Sequence, residues 1–155
     1  MVKPLTLLGF DYGIRRIGVA IGQQITATAR PLTTLTSIGQ QPDWRAIEQL
    51  IETWRPQRLL VGRPLHMDGT EQPLTARCDK FGRQLQGRFT LPLEWFDERL
   101  SSYEAEQELL ESTKRYTKAQ IDALAAAKMV QSWLNQQPTF LTRPPDLEPP
   151  YESPP

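Results

Sequence analysis

The chain has 155 residues, with 18 basic and 18 acidic side chains and a formal net charge of zero. That length suits one domain with a sizeable core, and 39% hydrophobic with 23% charged residues excludes a wholly disordered or collagen-like chain. A single cysteine, Cys78, excludes a disulfide framework and a CxxC zinc site, and no apolar run is long enough to span a bilayer.

The N-terminus lacks the long apolar core of a secretory signal, so a soluble, cytoplasmic protein with no membrane attachment is expected. His66 is the only histidine. Chemistry in this chain is therefore expected to rest on carboxylates.

In chain order, Leu5 to Asp11 reads as a strand and Ile17 to Ile21 as a second, joined by the turn Tyr12 to Arg16 with its Gly13. Thr26 to Ala29 continues the meander as a third strand, ended by Pro31. Asp43 opens a helix that spaces Trp44, Ile47, Ile51 and Trp54 along one face and stops before Pro56. The apolar run Arg58 to Gly62 is typical of a strand buried on both faces. A second helix starts near Thr70, tolerates Pro73 in its first turn, and aligns Leu74, Cys78, Phe81 and Leu85. Leu91 to Phe96 is another strand. Ser101 with Glu104, and Thr117 with Gln120, are spaced as capping boxes for helices running to Leu110 and to about Leu134.

This order predicts an α/β domain over residues 1–136, with a mixed five-stranded sheet made of an antiparallel three-strand meander and two crossover strands, flanked by helices. Residues 137–155 hold half of the chain's 14 prolines and read as a disordered or extended tail.

Three acids stand out by position. Asp11 closes the first strand, Glu98 closes the last, and Asp122 shares a face of the final helix with Ala126, Met129 and Trp133. That face should pack on the sheet, where an isolated charge is costly unless compensated. Sites in open α/β sheets gather beyond the strand ends, so the three can converge. Converging carboxylates repel one another, and a hard divalent cation such as Mg²⁺ or Mn²⁺, which takes oxygen ligands, resolves the conflict. Plainer roles stay open for each: a turn residue for Asp11, a solvated acid ahead of a helix for Glu98, and a dipole-complementing acid for Asp122.

Four motifs add a resemblance. Leu8-Gly-Phe-Asp-Tyr-Gly-Ile-Arg-Arg-Ile-Gly-Val-Ala-Ile-Gly22 resembles the opening strand-turn-strand of the YqgF (RuvX-like) family. Val61-Gly-Arg-Pro-Leu-His-Met-Asp-Gly-Thr-Glu71 resembles its central glycine-proline loop. Phe96-Asp-Glu-Arg-Leu-Ser-Ser102 is similar to its Asp-Glu-Arg-Leu signature, and Ile121-Asp-Ala-Leu-Ala-Ala126 to its final helix. The match runs in order over roughly 5–135. It implies a ribonuclease H-like fold and Mg²⁺- or Mn²⁺-dependent hydrolysis of phosphodiester bonds, with Asp11, Glu98 and Asp122 as catalytic metal ligands. The implied substrate is precursor rRNA, at the 5′ end of 16S rRNA during ribosome biogenesis, with contact to a ribosomal particle. Branched DNA is the alternative substrate, in the manner of a Holliday junction resolvase.

Four arginines are candidate contacts to nucleic acid. Arg15 and Arg16, in the turn beside Asp11, either hold flanking phosphates or form a solvated turn. Arg99 either neutralises a phosphate or pairs with a neighbouring acid. Arg63 and His66 depart from the family's usual residues in a loop expected to border the site. Cys78 and the tryptophans Trp44, Trp54, Trp95 and Trp133 read as core side chains. A monomer or weak homodimer is expected. Two further readings stay in view. One is a non-catalytic ribosome- or nucleic-acid-binding module; the other is a nucleotide-binding ATPase, suggested by Asp11-x-Gly13, which needs a second domain that this length does not supply.

Overall fold

The structure, a computed structural model, describes residues 4–100, 103–113 and 115–137. The proline-rich stretch 138–155, and Ser101 of the expected capping box, lie outside the described residues. The elements are β1 (Thr6–Asp11), β2 (Arg16–Gln23), β3 (Thr28–Thr36), α1 (Trp44–Trp54), β4 (Arg58–Arg63), α2 (Pro73–Phe89), β5 (Leu93–Asp97), a single 3₁₀ turn (Glu98–Leu100), α3 (Tyr103–Ser112) and α4 (Lys118–Gln136).

The five strands form one sheet in the order β3-β2-β1-β4-β5. β1, β2 and β3 are the antiparallel meander, and β1, β4 and β5 run parallel. Two helix starts follow the sequence closely. The Asp43 side chain accepts from the Ala46 N–H at 3.2 Å, and Thr117 and Gln120 cap α4 reciprocally.

Two boundaries differ most from expectation. β3 does not end at Pro31 but runs on to Thr36, because it is the sheet's edge strand. Register shifts there, with Ala20 opposite Pro31 and Val19 opposite Thr33, so Leu32 is the extra residue of a bulge directly after the proline that cannot donate. α2 begins at Pro73, not near Thr70, because Gln72 forms the N-terminal cap with Thr75.

Alternation along the strands divides the core into two layers. On one face, Leu8, Phe10, Ile17, Val19, Leu59 and Val61 meet Ile47 of α1 and Cys78, Phe81 and Leu85 of α2. On the other, Leu7, Ala20, Leu60 and Phe96 meet Ala126, Met129, Val130 and Trp133 of α4. Among the tryptophans only Trp133 is buried; Trp95 is 37% exposed.

The α4 layer is thin because small residues face each other across it. A Cβ on Gly9 would stand 2.2 Å from Val130, and one on Gly18 would stand 2.0 Å from the Asp122 carbonyl oxygen. The missing side chains bring the helix backbone nearly onto the sheet, and Asp122 down with it. Two polar ties fix its rotation: Gln131 accepts from the Ala29 N–H and donates to the Ala27 carbonyl, and Thr34 donates to the Ala119 carbonyl. No helix among the described residues is long and apolar enough to cross a membrane.

Candidate active site

Because β1, β4 and β5 are parallel, their C-terminal ends lie along one edge of the sheet. Asp11 is the last residue of β1, and Glu98 directly follows β5. Gly9 faces α4, and Asp11, two residues on, faces the same way. Gly18 is paired opposite Asp11 and lies under Asp122. Glu98 folds back over Gly62, whose Cβ would stand 3.1 Å from Glu98 Oε2. All three acids are therefore on the α4 side of one sheet edge.

They line a single cleft of about 380 Å³ together with Tyr12, Gly13, Ile14, Arg15, Arg16, Pro64 and Leu74. Arg15 is exposed at this cleft. Arg16 reaches across it, and its Nε donates to Asp122 Oδ2 at 2.6 Å. The Asp122 side chain is only 16% exposed, and the guanidinium supplies the compensating charge that its packed position demands.

Among the described residues no three acidic, histidine or cysteine side chains stand close enough to hold a metal ion, and Asp122 is turned to Arg16. The donor chemistry nevertheless fits a hard divalent cation. Three carboxylates, all oxygen donors, line one cleft, and a cationic group already sits against one of them. Cys78 lies on the other face of the sheet, within the field of Glu98 and Asp11. Burial pushes its thiol up, the charges of Glu98, Asp79 and Asp11 push it the same way, and its Sγ donates to the Gly62 carbonyl at 3.0 Å.

Arg63 and Arg99 do not line this cleft. In β4, Leu59 and Val61 face α1 and α2, so Arg63 faces that side too, opposite the acids. There its Nε and Nη2 grip Asp79 at 2.8 and 3.0 Å, Nη2 also reaches Glu71 at 3.2 Å, and the fork holds the Asp79 carboxyl below the usual carboxylate range. Arg99 closes on Asp97, its Nη2 donating to Oδ2 at 2.6 Å, and holds that carboxyl low as well. His66 lies in the turn before α2 and is not among the residues that line the cleft. The glycine-proline loop contributes Pro64 instead.

A family model described as RuvX, Holliday junction resolvase, matches residues 5–136. The chain belongs to the RuvX family. Among its relatives, a protein of Azotobacter vinelandii is 47% identical over 140 residues, covering 89% of this chain and 99% of the relative. One of Nitrosococcus oceani is 49% identical over 139 residues, covering 89% and 91%. Both carry the name "Putative pre-16S rRNA nuclease". Similar solved structures include the fowlpox virus Holliday junction resolvase, with a TM-score of 0.53 at 14% identity over 85% of this chain and 99% of that one. Thermus thermophilus RuvC bound to a Holliday junction substrate gives 0.50 at 17% identity over 83% and 93%. At such identities the likeness concerns the fold, which is ribonuclease H-like. In this chain the meander and the parallel strands bring segments far apart in sequence to one edge of the sheet.

Proposed function

We propose that this chain is a divalent-metal-dependent endonuclease that hydrolyses phosphodiester bonds of structured nucleic acid in the cytoplasm, with the 5′ end of pre-16S rRNA as its leading substrate. Residues 1–136 carry the activity. The observation behind this reading is the gathering of Asp11, Glu98 and Asp122 in one cleft from β1, the end of β5 and α4. The names of relatives near half identity support the rRNA substrate.

In this reading Asp11, Glu98 and Asp122 hold Mg²⁺ or Mn²⁺. When bound, the ion supplies Lewis-acid polarisation of the phosphate and neutralisation of charge at the scissile bond. The chain's own groups do the rest. Arg16, released from Asp122, is placed to pair with a flanking phosphate, and Arg15 guards the mouth of the cleft. Pro64 and Leu74 form its apolar wall. Asp11 and Gly13 line the cleft, and a Cβ on Gly13 would stand 2.6 Å from the Arg16 carbonyl oxygen, so glycine closes the turn that carries Arg15 and Arg16.

A second reading, cleavage of branched DNA, is favoured by the family's description. Supplying the purified protein with precursor 16S rRNA and with a four-way DNA junction, each in Mg²⁺, in Mn²⁺ and in EDTA, separates the two. The expected result is metal-dependent cutting of the rRNA precursor and slower cutting of the junction. Faster cutting of the junction assigns the resolvase role, and binding of both without cutting assigns a non-catalytic module.

A further inference from the structure

Tyr12 lies at a boundary. It lines the acidic cleft, and it also lines a second, polar basin of about 420 Å³ on the other side of the sheet edge. Alternation explains this: Asp11 faces α4, so Tyr12 faces α2, where its ring packs 5.0 Å from that of Phe81. The second basin is walled by Gly39 to Pro42, Arg77, Lys80, Phe81 and Gln84, and the Arg77 guanidinium stands beside the Tyr12 hydroxyl.

Arg77 and Lys80 are exposed and begin a row along α2. Residues 77, 80, 84 and 88 follow one another by three or four positions, so they share one helix face. The row ends at Arg88, whose guanidinium lies 4.2 Å over the ring of Trp44 in a shallow basin shared with Arg45, Glu48 and Phe89. Among the described lining residues of these two basins, Glu48 is the only acid. From Arg77 to Arg88 the helix rises about 16 Å. A neutral chain has therefore concentrated positive charge and half-buried aromatic surface into a strip that begins at the rim of its acidic cleft.

The geometry points to a track for the sugar-phosphate backbone of a nucleic acid, running from the acidic cleft over Tyr12 and along α2 past Arg77 and Lys80 to Arg88 and Trp44. This track rests on the nuclease reading for its purpose, but it is a binding surface and does not need the metal. The acids repel a polyanion, so Arg15 and Arg16 need further positive charge outside the cleft to hold one, and each phosphate neutralised by Arg or Lys releases counterions. Backbone contacts of this kind position a substrate and carry no sequence information. Trp44, stacked on Phe81 on its inner side, carries the Arg88 guanidinium over its ring and so fixes the charge at the end of the row.

Binding measured in EDTA, across a series of salt concentrations, tests the track apart from cleavage. The probes are a labelled rRNA hairpin and a labelled four-way DNA junction. The double variant Arg77→Gln/Lys80→Gln removes two charges from exposed positions, so its folding is secure; Lys118→Gln, on the opposite layer, is the control. The expected result is a slope of log affinity against log salt that is shallower by about 1.8 for duplex arms, and binding weaker by roughly tenfold or more at 0.1 M salt, with the control unchanged. The same loss with both probes shows that the shared backbone is read, and a loss with one identifies that polymer as the ligand. A double variant that binds both probes with the slope and affinity of the control overturns the track. Wild-type protein that binds in this way but cuts nothing in Mg²⁺ or Mn²⁺ overturns the nuclease reading and leaves the track standing.

Discussion

Asp11→Asn is expected to lower Mg²⁺-dependent cleavage by roughly 10³-fold or more while the protein stays folded. Asp11 is the carboxylate at the C-terminal end of the sheet's central strand, on the face shared with Glu98 and Asp122. Asparagine keeps its shape and one oxygen but removes its charge. Charge stabilisation by a site of this kind is worth several kcal/mol, and each ~1.4 kcal/mol is a factor of ten in rate. The measurement is single-turnover cleavage of precursor rRNA beside thermal unfolding of the same preparation. A variant that melts with the wild type and has lost turnover fits a ligand role. Turnover equal to the wild type places the hydrolysis elsewhere.

Gly18→Ala is the second large effect, and it acts through distance. The added Cβ would lie 2.0 Å from the carbonyl oxygen of Asp122, 2.4 Å from its carbon and 3.0 Å from the Ala123 nitrogen. These are backbone atoms of a helix tied down at Ala119 and Gln131, so no flexible side chain can give way. Overpacking of this sort costs about 1–3 kcal/mol, and α4 must lift from the sheet. Lifting takes Asp122 away from Asp11, and a misplacement near 1 Å can cost about 10²-fold in rate. Activity should therefore fall further than stability. Gly87→Ala is the control: nothing lies within 4 Å of its Cβ, and in the last turn of α2 it should stabilise by roughly 0.5 kcal/mol. Chemical denaturation and cleavage rates for both variants decide the matter; a Gly18→Ala protein as stable and as active as the wild type would show that the close approach is unimportant.

Much of this architecture was legible from residue order. Asp43 and Thr117 announce their helices because a cap is a local interaction, complete within four residues. The acids at strand ends could be brought together because parallel strands must share an edge. The partners of the arginines were less accessible. Arg16 and Asp122 are 106 positions apart, and their 2.6 Å contact depends on how closely α4 docks, which the glycines opposite it determine.

Arg63 shows a different obstacle. Its face follows from strict alternation, yet Leu59, Leu60 and Val61 are all buried, so the run carries no polar residue to mark which face is which. The sense of the alternation becomes visible only when Gly62 is seen beneath Met129. Pro31 misleads for a related reason. A proline ends a strand only where its nitrogen is needed, and on an edge strand with a bulge it is not. The basic row on α2 has the period of a helix surface, but a surface row acquires meaning only from what it adjoins, and Tyr12 supplies that link.

The most direct measurement is a crystal structure of the wild-type protein grown or soaked in Mn²⁺, with anomalous diffraction recorded at the manganese edge. The expected result is an anomalous peak coordinated by carboxylate oxygens of Asp11, Glu98 and Asp122, with the Arg16 guanidinium withdrawn from Asp122. A manganese peak elsewhere on the molecule, with the Arg16–Asp122 pair intact, would contradict the assignment of these three acids as one metal-binding centre.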